Sequence, residues 1–306
     1  MQISIIIVNY NSSKDLIGVV GQIENAVKLP KSFGKKIFVL ENGSTNPGEW
    51  EALQLLKKYS DIDLSISEKN LGFTGGNNLL IEKAKTVNSD YFLLLNPDTV
   101  VDKNFIIELI RASQKDSAIG LLSPKIYFYK GFETHPERYK EQDLGKVIWY
   151  GGGIIDWSNI VGYHRQVDQI DLEVSQEIET TDFCTGCCML VTKQAMEKLR
   201  SFDDKYFLNL EDLDLSVRAK KAGFRTVYVP KAIIWHKNAL SKGGTGSSLE
   251  DFYQTRNRLI FAFKYASLKV KILLLWQLLR TANLSRLKAI LAVFDGPAKF
   301  FPRNPG

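Results

Sequence analysis

The amino-acid sequence predicts an α/β fold with a mostly parallel sheet and helices on both faces. Short apolar runs alternate with amphipathic segments over the first 125 residues. The runs are almost continuously apolar, as strands covered on both faces require, and polar, turn-forming residues follow them. At 44% hydrophobic and 24% charged residues over 306 positions, the chain has the composition of a folded globular protein rather than a disordered one.

The first 125 residues are predicted to hold four strand–helix repeats. Apolar runs bounded by turn residues predict strands over residues 3–8, 36–40, 64–67 and 91–95. Helical patterns follow them over residues 14–27, 47–59, 76–86 and 104–114. Parallel sheets of this kind bind ligands in the crevice beyond the carboxyl ends of their strands.

The second half is less regular. Residues 126–181 contain three consecutive glycines and many aromatic residues, and indicate an insertion of strands and mobile loops. Helices are predicted over residues 193–200 and 211–222, and a short strand over residues 232–235.

The helix predicted over residues 211–222 carries charges that suit its dipole. Its first turn holds Glu211, Asp212 and Asp214, which the positive end of the helix stabilises. Asp214 and Arg218 stand four positions apart and are expected to form an ion pair.

The C-terminal segment is predicted to be helical, over residues 249–266 and 268–294. The second range is dense in Leu, Ile, Val and Trp but interrupted by basic residues: Lys269, Lys271, Arg280, Arg286 and Lys288. This pattern suits a helix pair packed on the core and equally a helix that lies on an anionic membrane. Both interpretations stay open at this point, as does a homodimer.

The net charge of +6 favours an anionic partner, but nucleotides and phospholipids both qualify, and we expect no nucleic-acid partner. Three clustered cysteines indicate a reducing compartment and buried thiols rather than a zinc site: Cys184, Cys187 and Cys188. With no readable secretory signal and no uncharged run of 18 apolar residues, we expect a cytoplasmic protein, with peripheral contact at the inner face of the membrane left open.

Polar residues follow each of the first four predicted strands. The four motifs are Asn9-Tyr10-Asn11-Ser12, Glu41-Asn42-Gly43-Ser44, residues 70–78 (NLGFTGGNN) and Asn96-Pro97-Asp98. Turn formation alone would explain any one of them. All four on one edge of one sheet indicate a ligand site.

Asp98 is the candidate metal ligand of this site. Pro97 ends the strand and Asp98 follows at its tip, where a carboxylate can hold Mg²⁺ or Mn²⁺ against a diphosphate. A simple cap of the turn before Asn104 is the alternative, and it would be preferred if the motif stood alone.

These motifs, in this order, resemble glycosyltransferase family 2 enzymes with the GT-A fold, and among them the rhamnosyltransferase-like branch. The resemblance covers most of the chain. It rests on residues 4–12, 41–45, 70–78, 96–98 and 185–186, residues 207–215 with Arg218 and Gly223, residues 235–236, and the Tyr-x-x-Arg-Asn pattern ending at Arg256 and Asn257.

The resemblance implies a set of residues that bind the nucleotide-sugar: Asn9, Tyr10, Asn11, Glu41, Asn42, Asn70, Gly72, Phe73, Gly76, Asn77, Asn96 and Asp98. Glu41 stands where the family usually has an aspartate that binds the pyrimidine N3–H, so its longer side chain shifts the expected contact. Gly76 and Asn77 would open the helix that follows. Asn96 replaces the first aspartate of the family's Asp-x-Asp motif, which leaves Asp98 as the carboxylate ligand.

The resemblance also implies the catalytic residues. Asp212 matches the catalytic base, which takes the proton of the acceptor hydroxyl in an inverting transfer. His236 matches a second metal ligand, with a buried histidine behind a strand as the alternative. The acceptor is expected to contact Thr185, Gly186, Glu211 and Trp235.

The sequence therefore predicts a metal-dependent inverting glycosyltransferase. We expect a dTDP- or UDP-sugar donor, with L-rhamnose from dTDP-L-rhamnose as the specific hypothesis, and a lipid-linked or cell-surface glycan acceptor. A nucleotidyltransferase and a non-catalytic glycan-binding relative are the alternatives. Residues 1–245 are expected to form the GT-A domain, with a nucleotide-binding half (1–125) and an acceptor-binding half (126–245), and residues 246–306 a helical extension.

Overall fold

A computed structural model of the chain describes residues 1–30, 32–172, 176–238, 248–281 and 283–294. The elements of the first half are β1 (Gln2–Asn9), α1 (Ser13–Asn25), β2 (Gly34–Asn42), α2 (Glu49–Leu53), β3 (Ile62–Ser67), α3 (Gly72–Lys85), β4 (Tyr91–Leu95), β5 (Thr99–Val101), α4 (Phe105–Ser113) and β6 (Ile119–Phe128). Those of the second half are β7 (Ile148–Tyr150), β8 (Gly153–Asp156), β9 (Val161–His164), β10 (Glu179–Thr180), β11 (Cys188–Thr192), α5 (Lys193–Leu199), α6 (Glu211–Lys221), β12 (Arg225–His236), α7 (Ser248–Tyr265), α8 (Leu268–Arg280) and α9 (Leu284–Leu291).

Within the described residues, ten strands form one mixed sheet, ordered β10–β12–β6–β11–β4–β1–β2–β3 along its main path. Strands β1 to β4 pair in parallel, whereas β11 is antiparallel to both β4 and β6. Because β12 runs parallel to β6, the carboxyl ends of β4, β6 and β12 meet at the same edge. The predicted α/β fold is confirmed, with parallel strands β1 to β4 and flanking helices. The sheet as a whole is mixed rather than mostly parallel, because β5, β7, β10 and β11 pair antiparallel with their neighbours.

Alternation along the central strands builds a core on each face of this sheet. Ile5 and Ile7 of β1 pack in one buried cluster with α1 and α4, and Ile6 packs in the other with α3, α5 and α6. All three isoleucines are fully buried. Helices on both faces therefore hold the strand ends rigidly, which is what a site at the sheet edge needs.

Several predicted boundaries differ from the structure. The helix expected over residues 76–86 begins at Gly72, so Gly76 and Asn77 lie inside it rather than opening it. Three glycines in the first five residues of α3 hide its start, because glycine weakens the helical pattern. The helix expected over residues 47–59 is the short α2 followed by a 3₁₀ turn, Gln54–Lys58.

The middle of the chain contributes more to the sheet than its pattern indicates. β6 lies deep inside the sheet, and β12 is three times as long as the predicted strand, 12 residues against four. The pairing of β12 with β6 shifts register between Val229 and Ile233, at Pro230. Proline and the shift interrupt the strand pattern in the sequence.

Helix α7 is joined to helix α6 through a buried carboxylate. Asp214 is fully buried, and Arg218 pairs with it at 2.8 Å, as predicted. The Tyr265 hydroxyl donates to Asp214 at 2.7 Å and the Lys264 ammonium forms a very short ion pair with it. Since a buried charge needs such partners, α6 and α7 are held together by one polar cluster.

The range predicted to be helical over residues 268–294 divides into α8 and α9. Leu274 and Leu278 of α8 are buried against the protein, so this helix does pack on the core. Val270 and Leu275 are half-buried against the same core, whereas Leu268, Ile272, Leu273, Trp276 and Leu279 are exposed. No helix in the described ranges is both long and apolar enough to cross a membrane.

The three cysteines are buried, as predicted. Burial raises the pKa of the Cys184 thiol to about 12 and that of Cys188 still further, so both thiols stay protonated at neutral pH.

Candidate active site

The side chains at the ends of the first two strands form one hydrogen-bonded cluster. The Asn9 amide donates to Glu41 Oε2 at 2.6 Å and to Glu49 Oε2 at 3.1 Å. Glu41 is buried, and its Oε1 accepts from the backbone N–H of Ser44 at 2.7 Å. The carboxylate of Glu41 therefore orders the loop after β2 and keeps only its remaining lone pairs for a ligand.

Asn11 joins the same loop from the β1 side. Its backbone adopts φ = 55°, which asparagine tolerates better than most residues. Its Oδ1 accepts from the backbone N–H groups of Thr45 and Asn46 at 2.9 and 3.0 Å. Tyr10, between Asn9 and Asn11, stays half-buried.

A groove of about 250 Å³ opens beyond the carboxyl ends of β2 and β3. Its lining includes Glu41 and Ser44, the indole of Trp50, and Ile66 and Glu68. An aromatic ring and carboxylates around one groove suit a nucleobase, which has flat faces and N–H donors on its edge.

The loop before α3 is closed by paired asparagines. Asn42 donates to Asn70 Oδ1 and to the Gly72 carbonyl, each at 3.2 Å, and accepts from the Leu71 N–H at 3.0 Å. Gly72 has φ = 73°, and a Cβ there would lie 2.5 Å from Phe207. Only glycine fits this approach.

Helix α3 carries three further predicted residues. Gly76 lets the helix approach β1, since a Cβ there would meet Val8 at 2.9 Å. The Asn77 amide donates within the helix to the Phe73 carbonyl at 2.8 Å. The Phe73 ring packs edge-on against Phe202 and lies beside Gly186, so it borders both parts of the site.

Asp98 and His236 come together at the edge of the sheet. The Oδ1 of Asp98 lies 3.2 Å from the Nε2 of His236, and both side chains are buried. Two ligands bound at about 2.1 Å in adjacent octahedral positions would lie about 3 Å apart. The pair thus fits a shared Mg²⁺ or Mn²⁺. In the described part of the chain no third His, Cys, Asp or Glu completes the set, so these two side chains would be the protein's ligands from those residue types.

Asp212 stands at the start of α6 and is oriented by the segment before β11. Its Oδ2 accepts from the Gly186 N–H at 3.0 Å and its Oδ1 from the Leu213 N–H at 2.9 Å. The adjacent Cys187 carbonyl accepts from the Asn96 N–H at 2.8 Å. The short segment 186–187 therefore contacts both Asn96, the first residue of the Asp98 motif, and the Asp212 carboxylate. Thr185 and Glu211, on either side of this contact, are buried.

The loop that leads into α6 is strained. Asn209 and Leu210 have φ values of 73° and 67°, and such left-handed backbone costs about 1–3 kcal/mol for each residue. Strain of this kind persists only where surrounding contacts hold it, and here it directly precedes Glu211 and Asp212.

Trp235 is not brought to the Asp98–His236 pair. Its side chain lies on the opposite face of β12 from that of its neighbour His236, because side chains alternate along a strand. Its indole N–H donates to the Gly145 carbonyl at 2.9 Å, and its ring packs beside Tyr127.

Three residues near the site escaped the sequence motifs. Glu49 accepts from Asn9 and from the Ser13 N–H. The Trp149 ring packs edge-on between His164 and His236, at 4.4 and 4.5 Å. Burial lowers the pKa of His164 to about 4. The His164 Nδ1 lies 2.9 Å from the Trp149 carbonyl, which can only accept, so Nδ1 carries the proton. His164 is placed by the hairpin β8–β9, and no local pattern predicts its contact with Trp149.

Comparison with known proteins decides the family. The family model described as "Glycosyltransferase like family 2" matches residues 1–262. The chain belongs to glycosyltransferase family 2. The enzyme is therefore a glycosyltransferase, and the nucleotidyltransferase alternative is set aside.

Two relatives of this family 2 glycosyltransferase are named as rhamnosyltransferases. It is 26% identical over 249 residues to the N-acetylglucosaminyl-diphospho-decaprenol L-rhamnosyltransferase of Mycobacterium tuberculosis, a match that spans 78% of this chain and 77% of the relative. It is 27% identical over 182 residues to the rhamnosyltransferase WbbL of Escherichia coli, which spans 58% of this chain and 64% of WbbL.

Solved structures confirm the GT-A fold. GalNAc-T7 with UDP, GalNAc and Mn²⁺ superposes with a TM-score of 0.62 at 18% identity, over 77% of this chain and 44% of its own. The Pyrobaculum calidifontis mannosyltransferase PcManGT with GDP-Man and Mn²⁺ gives 0.57 at 11% identity, over 96% of this chain and 81% of its own.

Proposed function

We propose that this enzyme is an inverting, divalent-metal-dependent glycosyltransferase that moves L-rhamnose from dTDP-L-rhamnose to a hydroxyl of a lipid-linked or cell-surface glycan. The observation that carries the proposal is the segment 185–187, which joins the Asp98 motif to Asp212. A metal-binding edge and a carboxylate base on one short backbone segment suit single-displacement sugar transfer.

In the proposed reaction, Asp212 accepts the proton of the acceptor hydroxyl as its oxygen attacks the anomeric carbon. The bond from that carbon to the diphosphate breaks, and its electron pair leaves with the diphosphate. The Gly186 N–H orients the Asp212 carboxylate, and the start of α6 favours negative charge at this place. Asp98 and His236 would hold the metal, whose Lewis acidity offsets the charge of the leaving group.

We assign the groove beyond β2 and β3 to the nucleobase of the donor. The hydrogen-bonded cluster around Asn9 and Glu41 would contact the edge of the nucleoside. Asn70, Gly72 and Phe73 would border the ribose, and Asn96 would face it. Thr185, Gly186 and Glu211 would form the acceptor wall. The rhamnosyltransferase relatives support rhamnose as the sugar, and the Mn²⁺-containing neighbours support a divalent ion.

We further propose that α8 rests on an anionic membrane at the cytoplasmic face. Val270, Leu274 and Leu278 turn inward, while the exposed large apolar residues lie on the outward side: Leu268, Ile272, Leu273, Trp276 and Leu279. Lys269 and Lys271 lie in the first turn of this helix and Arg280 at its end, and the Arg280 guanidinium lies over the Trp276 ring at 4.4 Å. An apolar stripe flanked by cations suits acyl chains below anionic head groups, and would bring the site to a lipid-linked acceptor.

A donor panel tests the proposal. Release of nucleoside diphosphate from UDP-, dTDP- and GDP-sugars would be measured with Mn²⁺, Mg²⁺ and EDTA. We expect dTDP-L-rhamnose to give the fastest metal-dependent release. Strong turnover of UDP-hexoses with none of dTDP-L-rhamnose would overturn the rhamnose assignment, and equal release in EDTA would overturn the metal requirement.

A further inference from the structure

The Tyr-x-x-Arg-Asn pattern of α7 faces the strained loop that leads into α6. Asn257 is fully buried. Its amide nitrogen donates to the Leu208 carbonyl at 2.8 Å and to the Asn209 carbonyl at 2.9 Å. Both N–H donors of the side chain are thus used on consecutive carbonyls, two and three positions before Glu211 and three and four before Asp212.

The neighbours of Asn257 fix the orientation of its amide. Its Oδ1 accepts from the Arg256 guanidinium at 3.2 Å. Guanidinium groups only donate and carbonyls only accept, so the reversed amide would face like groups on every side. Asn257 therefore binds two carbonyls of the loop with two N–H donors, which no other side chain of its size supplies.

Two more residues of α7 hold the same loop. Arg256 donates to the Lys205 carbonyl at 2.6 Å and to the Ala292 carbonyl at 3.0 Å. The Tyr253 ring stacks on Phe207 with centroids 4.9 Å apart and planes 15° from parallel. These contacts hold the loop at 205, 207, 208 and 209.

Helix α3 holds the loop from the donor side. Asn78 both donates to the Phe202 carbonyl and accepts from its N–H, at 3.1 and 3.0 Å. The Thr74 N–H donates to the Phe207 carbonyl at 3.3 Å, and the Phe207 ring closes over Gly72. The loop lies between the donor-side helix and α7, and it ends at the catalytic carboxylate.

We propose that Asn257 is a positioning residue for Asp212. By binding the carbonyls of Leu208 and Asn209 it holds the left-handed backbone at Asn209 and Leu210, and so sets where α6 starts and where its first-turn carboxylates point. The inference rests on the proposed role of Asp212 as base. It also makes α7, within the C-terminal extension, part of the catalytic unit.

The test replaces Asn257 by leucine, which keeps the volume and removes both donors. We expect kcat for transfer to fall about 100-fold, because a displacement of about 1 Å of a catalytic group costs this much, while the Kd for nucleoside diphosphate with Mn²⁺ stays within about twofold. The matched control is Thr255→Val, another near-isosteric change at a buried polar residue of α7, which should keep both values near wild type.

A folded Asn257→Leu enzyme with wild-type kcat would overturn the proposal, as would a rise in nucleotide Kd that accounts for the whole loss. If this variant does not fold, Asn257→Asp serves in its place. Faster backbone hydrogen exchange over residues 208–213 with unchanged exchange in α3 would then support the role, and unchanged exchange over 208–213 would overturn it. If Asp212→Asn leaves transfer intact, the base assignment itself fails, which this series separates from a failure of Asn257.

Discussion

The backbone N–H of Gly186 donates to the carboxylate of Asp212 across 3.0 Å, joining residues 26 positions apart. A larger residue at position 186 would press on Phe73, because its Cβ would lie 3.0 Å from the ring. The Asp212 carboxylate and the Phe73 ring therefore both pack against Gly186.

Replacing Asp212 by asparagine should cost a factor of about 10²–10⁴ in transfer, since the side chain can no longer take the acceptor proton. The affinity for nucleoside diphosphate, measured by calorimetry with Mn²⁺, should stay close to wild type. The control is Glu197→Gln, which also removes one negative charge but at an exposed position of α5. Undiminished transfer by Asp212→Asn would show that another group is the base.

Loss of either partner of the Asp98–His236 pair should weaken metal-dependent donor binding. For Asp98→Ala and for His236→Ala we expect the affinity for nucleoside diphosphate in Mn²⁺ to fall about 10-fold or more, because each removes a ligand of the ion. The affinity in EDTA should not change. If the Mn²⁺-dependent gain in affinity persists in both variants, the ion binds elsewhere.

Stability should fall as the pH drops from about 6.5 to about 4. Burial lowers the pKa of His164 from 6.5 to about 4 in the folded protein, so across this window the unfolded chain binds a proton that the folded chain does not. The loss is at most about 3 kcal/mol. His164→Gln should flatten this part of the curve of unfolding free energy against pH, whereas His135→Gln, at an exposed histidine, should not. Identical slopes for His164→Gln and wild type would contradict this assignment.

Removing the outward apolar side chains of α8 should release the enzyme from membranes. The triple variant Ile272→Ser, Trp276→Ser and Leu279→Ser should reduce binding to phosphatidylglycerol-containing vesicles by about 10-fold or more in co-sedimentation. Donor hydrolysis without acceptor should persist. A control with serine at Leu55 and Leu172, exposed leucines outside this helix, should bind vesicles like wild type.

Two outcomes would count against the membrane surface. Wild-type enzyme that binds neutral and anionic vesicles equally weakly would exclude an anionic membrane. Light scattering that shows a wild-type dimer and a monomeric triple variant would assign α8 to a second copy of the chain instead.

The sequence predicts that the four strand-end motifs lie at one edge of the sheet, because each motif follows its own strand. Asn9, Glu41 and Asp98 need only local periodicity to be placed at strand ends, and the Asp214–Arg218 pair needs only helical spacing. The rest depends on pairing between distant segments. β11 inserts antiparallel between β4 and β6, and Gly186, just before β11, meets Asp212 of α6. Likewise, nothing local to Asn257 says that its amide meets Leu208 and Asn209, 48 or more positions away.

The buried Asp214 cluster has a consequence for how the molecule opens. It ties Arg218 of α6 to Lys264 and Tyr265 of α7, so neither helix can detach without stranding charge in an apolar interior. The two helices should therefore behave as one foldon, with amide exchange rates that converge under mild denaturant. A protease that nicks the chain between β12 and α7 would then leave two fragments that stay associated rather than a core freed of its C-terminal helix.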